Sequence, residues 1–376
     1  MKIVANKIIK EKLKGEDLVV VVSAMGKTTN NLYNLAKLAT IHPNKRDVDL
    51  LLATGEMVSI SLLSIILNDL GSPAVSLTGA QAGIKTAGVY TKTSIIDIDI
   101  GRIKKELSEN KIVVVAGFQG VNELGDITTI GREGSDTTAV ALANSLKCSC
   151  EIYTDVEGVY TVDPNKCPHA KKLDSINYEE MQEMSKMGSK VVAQSAIELA
   201  KKNNVPVYLA STYKDAKGTY INDEKEKKEI TGIAVNDKNI ILEVICKDYN
   251  NIISKIINSG YKVDLISSQV LHEDYYKTVI SITGEDLDLI DEVINDLKVN
   301  NQIKNLKKFD NLGILSIIGR GEKRNYIFYL LKYNCIDIKY EYSSNTKISV
   351  VIDKEFINES IRIIGCYFDL FKEVNK

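Results

Sequence analysis

The chain is short of residues that build metal sites: three histidines at 42, 169 and 272 stand alone, and six cysteines at 148, 150, 167, 246, 335 and 366 show no C-x-x-C spacing. That spacing gives no zinc site and no disulfide framework, and it fits buried or half-buried thiols in a reducing compartment. Any metal is expected to arrive with a substrate. An excess of one charge is also missing: 48 Lys and Arg face 50 Asp and Glu, for a net charge of -2. No electrostatic footprint for nucleic acid or an anionic membrane follows from that balance. The longest helical apolar stretch, MVSISLLSIIL at 57–67, reads as too short to span a bilayer, and no charged-then-apolar leader precedes it. The cytoplasm is the expected compartment. Neither G-x-x-x-x-G-K-[ST] nor a G-x-G-x-x-G after a strand occurs, which argues against P-loop and Rossmann sites and calls for another kind of phosphate site.

What is present is a chain of 376 residues, 44% hydrophobic and 26% charged, enough for two or three cores at roughly 100 to 200 residues each. Ile3, Val4, Ile8, Ile9 and Leu13 recur at helical spacing among lysines, so residues 2–14 read as a helix stopped at Gly15 and followed by the apolar run LVVVV. To about residue 210 strands alternate with helices. Runs such as VVVV and IVVVA suit strands covered on both faces, hence an α/β domain with three layers around a mostly parallel sheet. The charged segment 214–230 reads as a linker or exposed turn. Beyond it an order of β, α, β, β, α occurs twice, over NIILEVI to helix 285–297 and over GILSIIG to helix 355–364. Two small α+β units of ferredoxin-like order, packed side by side in one chain or between chains, are expected.

Three strand-to-helix junctions carry small and polar residues where a ligand would meet strand ends. In VVSAMGKTTNN, Ser23, Gly26, Thr28 and Thr29 surround a helix start whose free N–H groups attract anions, although Ser and Thr are also ordinary caps. In TTIGREGSDTTAVALA, two glycines flank Arg132 and Glu133, and Ser135, Asp136, Thr137 and Thr138 open the next helix. Arg132 can fork onto a carboxylate and Asp136 can orient a cation-bound phosphate; a simple surface pair between them is the plainer reading. In EIYTDVEGVYTVDP, Thr154 and Asp155 end a strand, and Tyr160 and Asp163 follow before Pro164. That suits a loop holding a nucleotide's edge, or only a polar hairpin.

At these residues the sequence resembles the aspartate kinases of the amino acid kinase superfamily. VVVVSAMGKTTNNL, LLATGEMVSISLL, LTGAQAGI, VVVAGFQGV, ITTIGREGSDTTAVALA and IYTDVEGVYTVDP stand in that family's order, and the two C-terminal units resemble its tandem ACT domains. The resemblance covers nearly the whole chain. It implies an amino acid kinase-like domain over 1–225, truncated at its N-terminus, and ACT-like units over 230–306 and 307–376. It implies transfer of the γ-phosphoryl of MgATP to the β-carboxylate of L-aspartate, the first step towards lysine, threonine and methionine. Carried over residue by residue, Ser23, Thr29, Glu56 and Arg132 hold aspartate, and Arg132 and Asp136 organise the transfer. Thr154, Asp155, Tyr160, Asp163 and Lys190 contact ATP. Positioning two anions and neutralising the migrating phosphoryl is then the protein's main task.

The resemblance also implies a strand and a KFGGTSV-like loop ahead of the first helix; this chain as given does not contain them, and an upstream extension is the expectation. Glu133 stands inside the family's GRGGSD, Asn165 replaces the Arg of DPR, and the turns CKDYNNII and GRGEKRNYI lack the ACT glycines. These departures keep a second expectation open, a catalytically impaired amino acid sensor or partner subunit. ACT units imply a lysine or threonine effector and a homo-oligomer formed by ACT pairing.

Overall fold

Short β-branched runs become the centre of the first layer system. In a computed structural model, which describes all residues except 132–133, 187–190, 224–228, 260, 272–273, 284–289, 300–302, 320–323 and 373–376, the chain divides into two units. The first comprises Met1–Val159, Asp174–Gln182 and Lys190–Lys225; the second comprises Tyr160–Leu173, Glu183–Ser189 and Glu226–Lys376.

In the first unit, α1 (Lys2–Lys12) leads into β1 (Val19–Val22), α2 (Thr28–Ala39), α3 (Lys45–Asp69) and β2 (Ala74–Leu77). Then come β3 (Ile84–Ala87), β4 (Ser94–Ile98), α4 (Gly101–Ser108), β5 (Ile112–Ala116), β6 (Gln119–Val121), β7 (Ile127–Thr129) and α5 (Gly134–Leu146). Strands β1, β5 and β2 form a parallel sheet in that order, with Val20 opposite Val114 and Val75 opposite Val113. Every residue of β5 is buried. Ile112, Val114 and Ala116 join Ala5, Ile8, Ile60, Leu63 and Leu67 on one side, while Val113 and Val115 join Ile103 and Leu142 on the other. Alternation along a strand sends successive side chains to opposite faces, so this run of unbroken apolar residues needs helices on both. The expected three layers are therefore present.

Two further sheets complete the unit. β4, β3, β6 and β7 form a mixed sheet that the apolar periodicity did not reveal, since its strands are three to five residues long. β8 (Cys150–Thr154), β9 (Ser175–Asn177), α6 (Tyr178–Lys186), α7 (Gln194–Asn203), β10 (Val207–Ser211) and β11 (Thr219–Asn222) follow, with strand order β8-β10-β11-β9. β11 corrects the reading of 214–230 as a linker: Thr219 and Ile221 are buried and pair with Leu209 and Val207. The lysines and acids around them hid a four-residue alternation. Among the described residues β1 and β8 each end a sheet, and α5 packs against both.

Helix α3 corrects another expectation. At 25 residues it is long and apolar enough to cross a membrane by length and composition. Eleven of its residues are buried, Asp49 and Glu56 among them, so it is a core helix.

The second unit holds β12 (Ile230–Asn236), β13 (Ile240–Cys246), α8 (Tyr249–Asn258), β14 (Lys262–Val270), β15 (Tyr276–Thr283), α9 (Ile290–Val299) and β16 (Ile303–Phe309). It continues with β17 (Leu312–Gly319), α10 (Arg324–Tyr333), β18 (Tyr340–Ser343), β19 (Lys347–Asp353) and α11 (Ile357–Tyr367). The antiparallel sheet β14-β15-β13-β16 shares a core with α8 and α9, including Leu242, Val244, Ile252, Ile256, Ile280 and Ile294. A second antiparallel sheet, β12-β17-β19-β18, shares one with α10 and α11. β12 pairs with β17, Ile233 opposite Ile317, so 230–236 lies in the sheet of the second module although it precedes the first in sequence. All eight residues of β17 are buried. Its second face is polar in part, with Ser316 and Ser349 hydroxyls 2.7 Å apart, and Tyr340 donates to Glu243 of the other sheet at 2.7 Å. Residues 160–173 join this unit, with Ile233 N donating to Thr161 O and Thr161 Oγ1 to Leu370 O, both at 2.6 Å.

Candidate functional site

The site grows from the C-terminal ends of β1 and β5. Gly117 N donates to Val22 O at 3.0 Å, which joins the two strand ends. A Cβ on Gly117 would lie 2.7 Å from Ser135 Cβ, so only glycine lets this turn touch the start of α5. Ligands in open α/β sheets collect at such strand ends, where helix N-termini point.

After Val22 come exposed Ser23, Ala24 and the turn at Gly26, whose φ is +56°. Thr28 Oγ1 donates to Met25 O at 2.7 Å. The cap residue of α2, Lys27, supplies no side-chain acceptor to the helix, and half-buried Thr29 lies in its first turn. Such an N-terminus keeps donors for an anion.

Glu56 meets this loop from α3. Gly55 allows the approach, since a Cβ there would be 2.9 Å from Ala24 Cβ. Glu56 Oε1 accepts from Ala24 N at 3.0 Å, while Oε2 is buried without a hydrogen-bond partner among the described residues. Glu56 is 2% exposed, and burial pushes its carboxyl up to about 7 against the pull of the Ala24 N–H. A half-satisfied buried carboxylate suits a donor brought by a ligand.

Asp136 lies in the first turn of α5, and its Oδ2 accepts from Ala193 N at 3.0 Å. Next to it, Thr137 and Ser195 hydroxyls are 2.7 Å apart. These two contacts join the starts of α5 and α7. Arg132 and Lys190, together with Glu133, lie outside the described residues.

Of the residues expected at the nucleotide, Thr154 ends β8 and Asp155 follows it, with Thr154 Oγ1 donating to Asp155 Oδ1 at 3.0 Å. Tyr160 and Asp163 belong to the second unit. There Tyr160 packs against the core of α10, α11 and their sheet. Asp163 Oδ1 accepts from Asn165 N at 2.9 Å and from its Nδ2 at 3.0 Å, which makes it the organiser of a turn.

Sequence reasoning missed a buried polar layer beneath the site. Asp49 is fully buried; its Oδ1 accepts from Thr129 Oγ1 at 2.5 Å and its Oδ2 from Thr91 N at 2.9 Å. Gln119, 1% exposed, donates from Nε2 to Ala53 O at 2.9 Å. A signal existed: Asp49 and Glu56 lie seven residues apart on one face of an otherwise apolar helix, where a carboxylate needs a partner.

Comparison with known proteins agrees with this geometry. The model of the amino acid kinase family matches residues 1–211. The chain is 41% identical to an aspartokinase of Geobacillus stearothermophilus, an alignment covering 98% of this chain and 93% of that protein. The fold is similar to that of Clostridium acetobutylicum aspartate kinase, with a TM-score of 0.70 at 22% identity over 96% of each chain. It is also similar to that of E. coli aspartokinase III solved with aspartate and ADP, with a TM-score of 0.70 at 21% identity over 96% of this chain and 81% of that one. Strand ends that meet above helix starts, a buried glutamate facing the first loop, and identity sustained along both units converge on one conclusion: this chain belongs to the aspartokinases of the amino acid kinase family.

Proposed function

We propose that this chain, an aspartate kinase by family, transfers the γ-phosphoryl of MgATP to the β-carboxylate of L-aspartate through the site at the ends of β1 and β5. The observation that carries the reading is Glu56 Oε2, a buried acceptor beside the Ala24 loop with no partner among the described residues. An α-ammonium group is the donor that acceptor fits. Ser23, Thr29 and the start of α2 hold carboxylate oxygens of the substrate, and Arg132 pairs with a carboxylate by its fork.

Thr154 and Asp155 offer hydroxyl and carboxylate contacts for the nucleotide's polar edge, joined by Lys190. Mg2+ is assigned to the incoming nucleotide, bridging its phosphates. A β-carboxylate oxygen attacks the γ-phosphorus, the bond to the β–γ bridging oxygen breaks, and ADP leaves with 4-phospho-L-aspartate as product. The protein's share is alignment and charge neutralisation, with Arg132 pairing with a carboxylate and Asp136 orienting the cation-bound phosphate.

Residues 1–225, apart from 160–173 and 183–189, form the catalytic part, and 230–306 and 307–376 the two ACT modules, the second completed by β12. We assign the ACT modules the binding of a lysine or threonine effector, and the cytoplasm as compartment. A second reading, an impaired sensor or partner subunit, draws on the sheet ends at β1 and β8, where paired strands would leave fewer open backbone groups.

The deciding experiment incubates the full chain with L-aspartate, MgATP and hydroxylamine and measures aspartyl hydroxamate, with and without added L-lysine or L-threonine. Hydroxamate that depends on both substrates, and falls with an effector, supports the kinase. Aspartate binding without hydroxamate supports the second reading, and neither binding nor product rejects both.

A further inference from the structure

The tyrosines within the strands of the β8-β10-β11-β9 sheet each have a partner. Tyr153 carries Lys7 Nζ 4.2 Å from its ring centroid and donates its hydroxyl to Glu151 Oε2 at 2.6 Å. Tyr208 and Tyr220 hold their ring centroids 4.6 Å apart, and Tyr208 Oη accepts from Gly218 N at 2.6 Å. Tyr213 lies beyond the strands, two residues past the end of β10, and is 72% exposed.

The turn that presents Tyr213 is fixed at each step. β8 and β10 are parallel with Ser211 opposite Thr154, so their C-terminal ends lie side by side. Thr212 N donates to Thr154 O at 2.7 Å, which carries the pairing one residue past the strands. Ser211, 1% exposed, accepts on Oγ from Tyr213 N and from Lys214 N, each at 3.2 Å, and Lys7 Nζ donates to its carbonyl at 2.8 Å. Lys214 Nζ then donates to Glu157 Oε1 at 2.6 Å. Tyr213 therefore falls between two ties to the segment 154–157, one from Thr212 and one from Lys214. Its backbone has little freedom left to lose when a ligand binds.

Ligands of open α/β sheets collect at the C-terminal ends of parallel strands. The hydroxyl of Thr154 and the carboxylate of Asp155 supply polar contacts there, and a purine also needs a flat apolar surface against its face. By sequence that part fell to Tyr160, which packs in a core of the second unit. We infer that Tyr213 is a nucleotide-contact residue: its ring stacks on the adenine of the nucleotide whose polar edge Thr154 and Asp155 hold. The inference rests on the reading of Thr154 and Asp155 as that edge.

The test titrates MgADP into the full chain by calorimetry, so that it does not depend on turnover, and measures the urea midpoint of each variant. Tyr213→Ala, Tyr213→Leu, Tyr213→Phe and Asp155→Ala are compared with the wild type. We expect Tyr213→Ala and Tyr213→Leu to weaken MgADP by about 10-fold, as removal of a stacked ring does. Their urea midpoints stay at the wild-type value, because the side chain is exposed. Tyr213→Phe, which keeps the ring, retains wild-type affinity. A wild type that binds no MgADP, or Asp155→Ala at wild-type affinity, removes the nucleotide edge and the stacking with it. A weakened Asp155→Ala beside an unweakened Tyr213→Ala overturns the stacking alone. So does a Tyr213→Phe as weak as Tyr213→Ala, which moves the contact from the ring to the hydroxyl. Loss of affinity matched by a lowered urea midpoint marks a disturbed fold and overturns it as well.

Discussion

Glu56 illustrates how a single residue trades stability for a binding site. Its carboxyl sits at about 7 in the folded chain against an ordinary 4.5, chiefly through burial. A raised carboxyl pKa means that the unfolded chain releases its proton first, so stability falls as pH climbs from 4.5 to about 7. The shift corresponds to a loss on the order of 3 kcal/mol above that window. Glu56→Gln is therefore expected to resist urea better than the wild type at pH 8 and to lose that advantage at pH 4.5. The buried amide left without an acceptor offsets part of the gain, by about 1 to 3 kcal/mol. Aspartate binding moves the other way: an ammonium needs the ionised carboxylate, so affinity in the wild type should drop up to about 10-fold for each pH unit below 7. Calorimetric titration between pH 8 and 5.5 reads this directly, and a flat profile would remove Glu56 as the ammonium's partner. The TGE motif marked Glu56 through family resemblance, but periodicity alone gave only a helix carboxylate. Its burial against Ala24 comes from a close approach at Gly55 that no local pattern reports.

Among the elements, α6 and β19 are joined by a buried ion pair. Lys347 Nζ lies 2.5 Å from Glu183 Oε2, and Lys347 is 7% exposed. Burial alone would pull the Lys347 ammonium down, yet the Glu183 carboxylate and Tyr342 bring it above 10.5; burial alone would push Glu183 up, yet Lys347 holds it below 4.5. The pair's contribution is thus complete above the ordinary carboxylate value, is lost in acid as pH falls through the depressed pKa of Glu183, and is lost in alkali as pH rises through the raised pKa of Lys347. Lys347→Met should cost about 3 to 5 kcal/mol, because it strands a buried carboxylate, while the Glu183→Gln, Lys347→Met pair should cost clearly less than the sum of its members. Urea unfolding of the four chains measures the coupling, and simple additivity would show that the pair contributes nothing specific. The same scale shows what sequence reads well. Long periodic elements such as α2 and α3 and apolar runs such as β5 were legible within a few residues. β11, β16 and the sheet of β4, β3, β6 and β7 were not, because three to seven residues rich in lysine, threonine and glycine carry too little periodicity to stand out from loops.

For the whole molecule, the ACT modules bring sheet ends that need management. The first module's sheet ends on β14 and β16, and the second's on β12 and β18. Lys304, Lys307 and Lys308 line β16, and edge lysines discourage pairing with another chain. β14 is nine residues long with Leu265 44% and Val270 71% exposed, which offers the better edge to a second copy. We expect the purified chain to sediment as a homodimer or larger homo-oligomer at micromolar concentration. A mass of 41.7 kDa under those conditions would overturn ACT pairing as the route of assembly.

The sequence by itself determined the class: β-branched runs between amphipathic helices require a covered parallel sheet, and the loops at Ser23, Gly131 and Asp155 place polar residues at strand ends. It also determined the repeated βαββα order, since each small sheet needs its own helical layer. Only the tertiary structure decided which strands share a sheet, so that β12 pairs with β17 across the whole first module. Tertiary contacts likewise moved Tyr160 and Asp163 into the second unit and brought Asp49 onto Thr129 and Thr91. The reason is one of range. Periodicity follows from neighbours a few bonds apart, whereas the partner of a buried carboxylate or an open strand edge lies tens of residues away and is set by how the layers close.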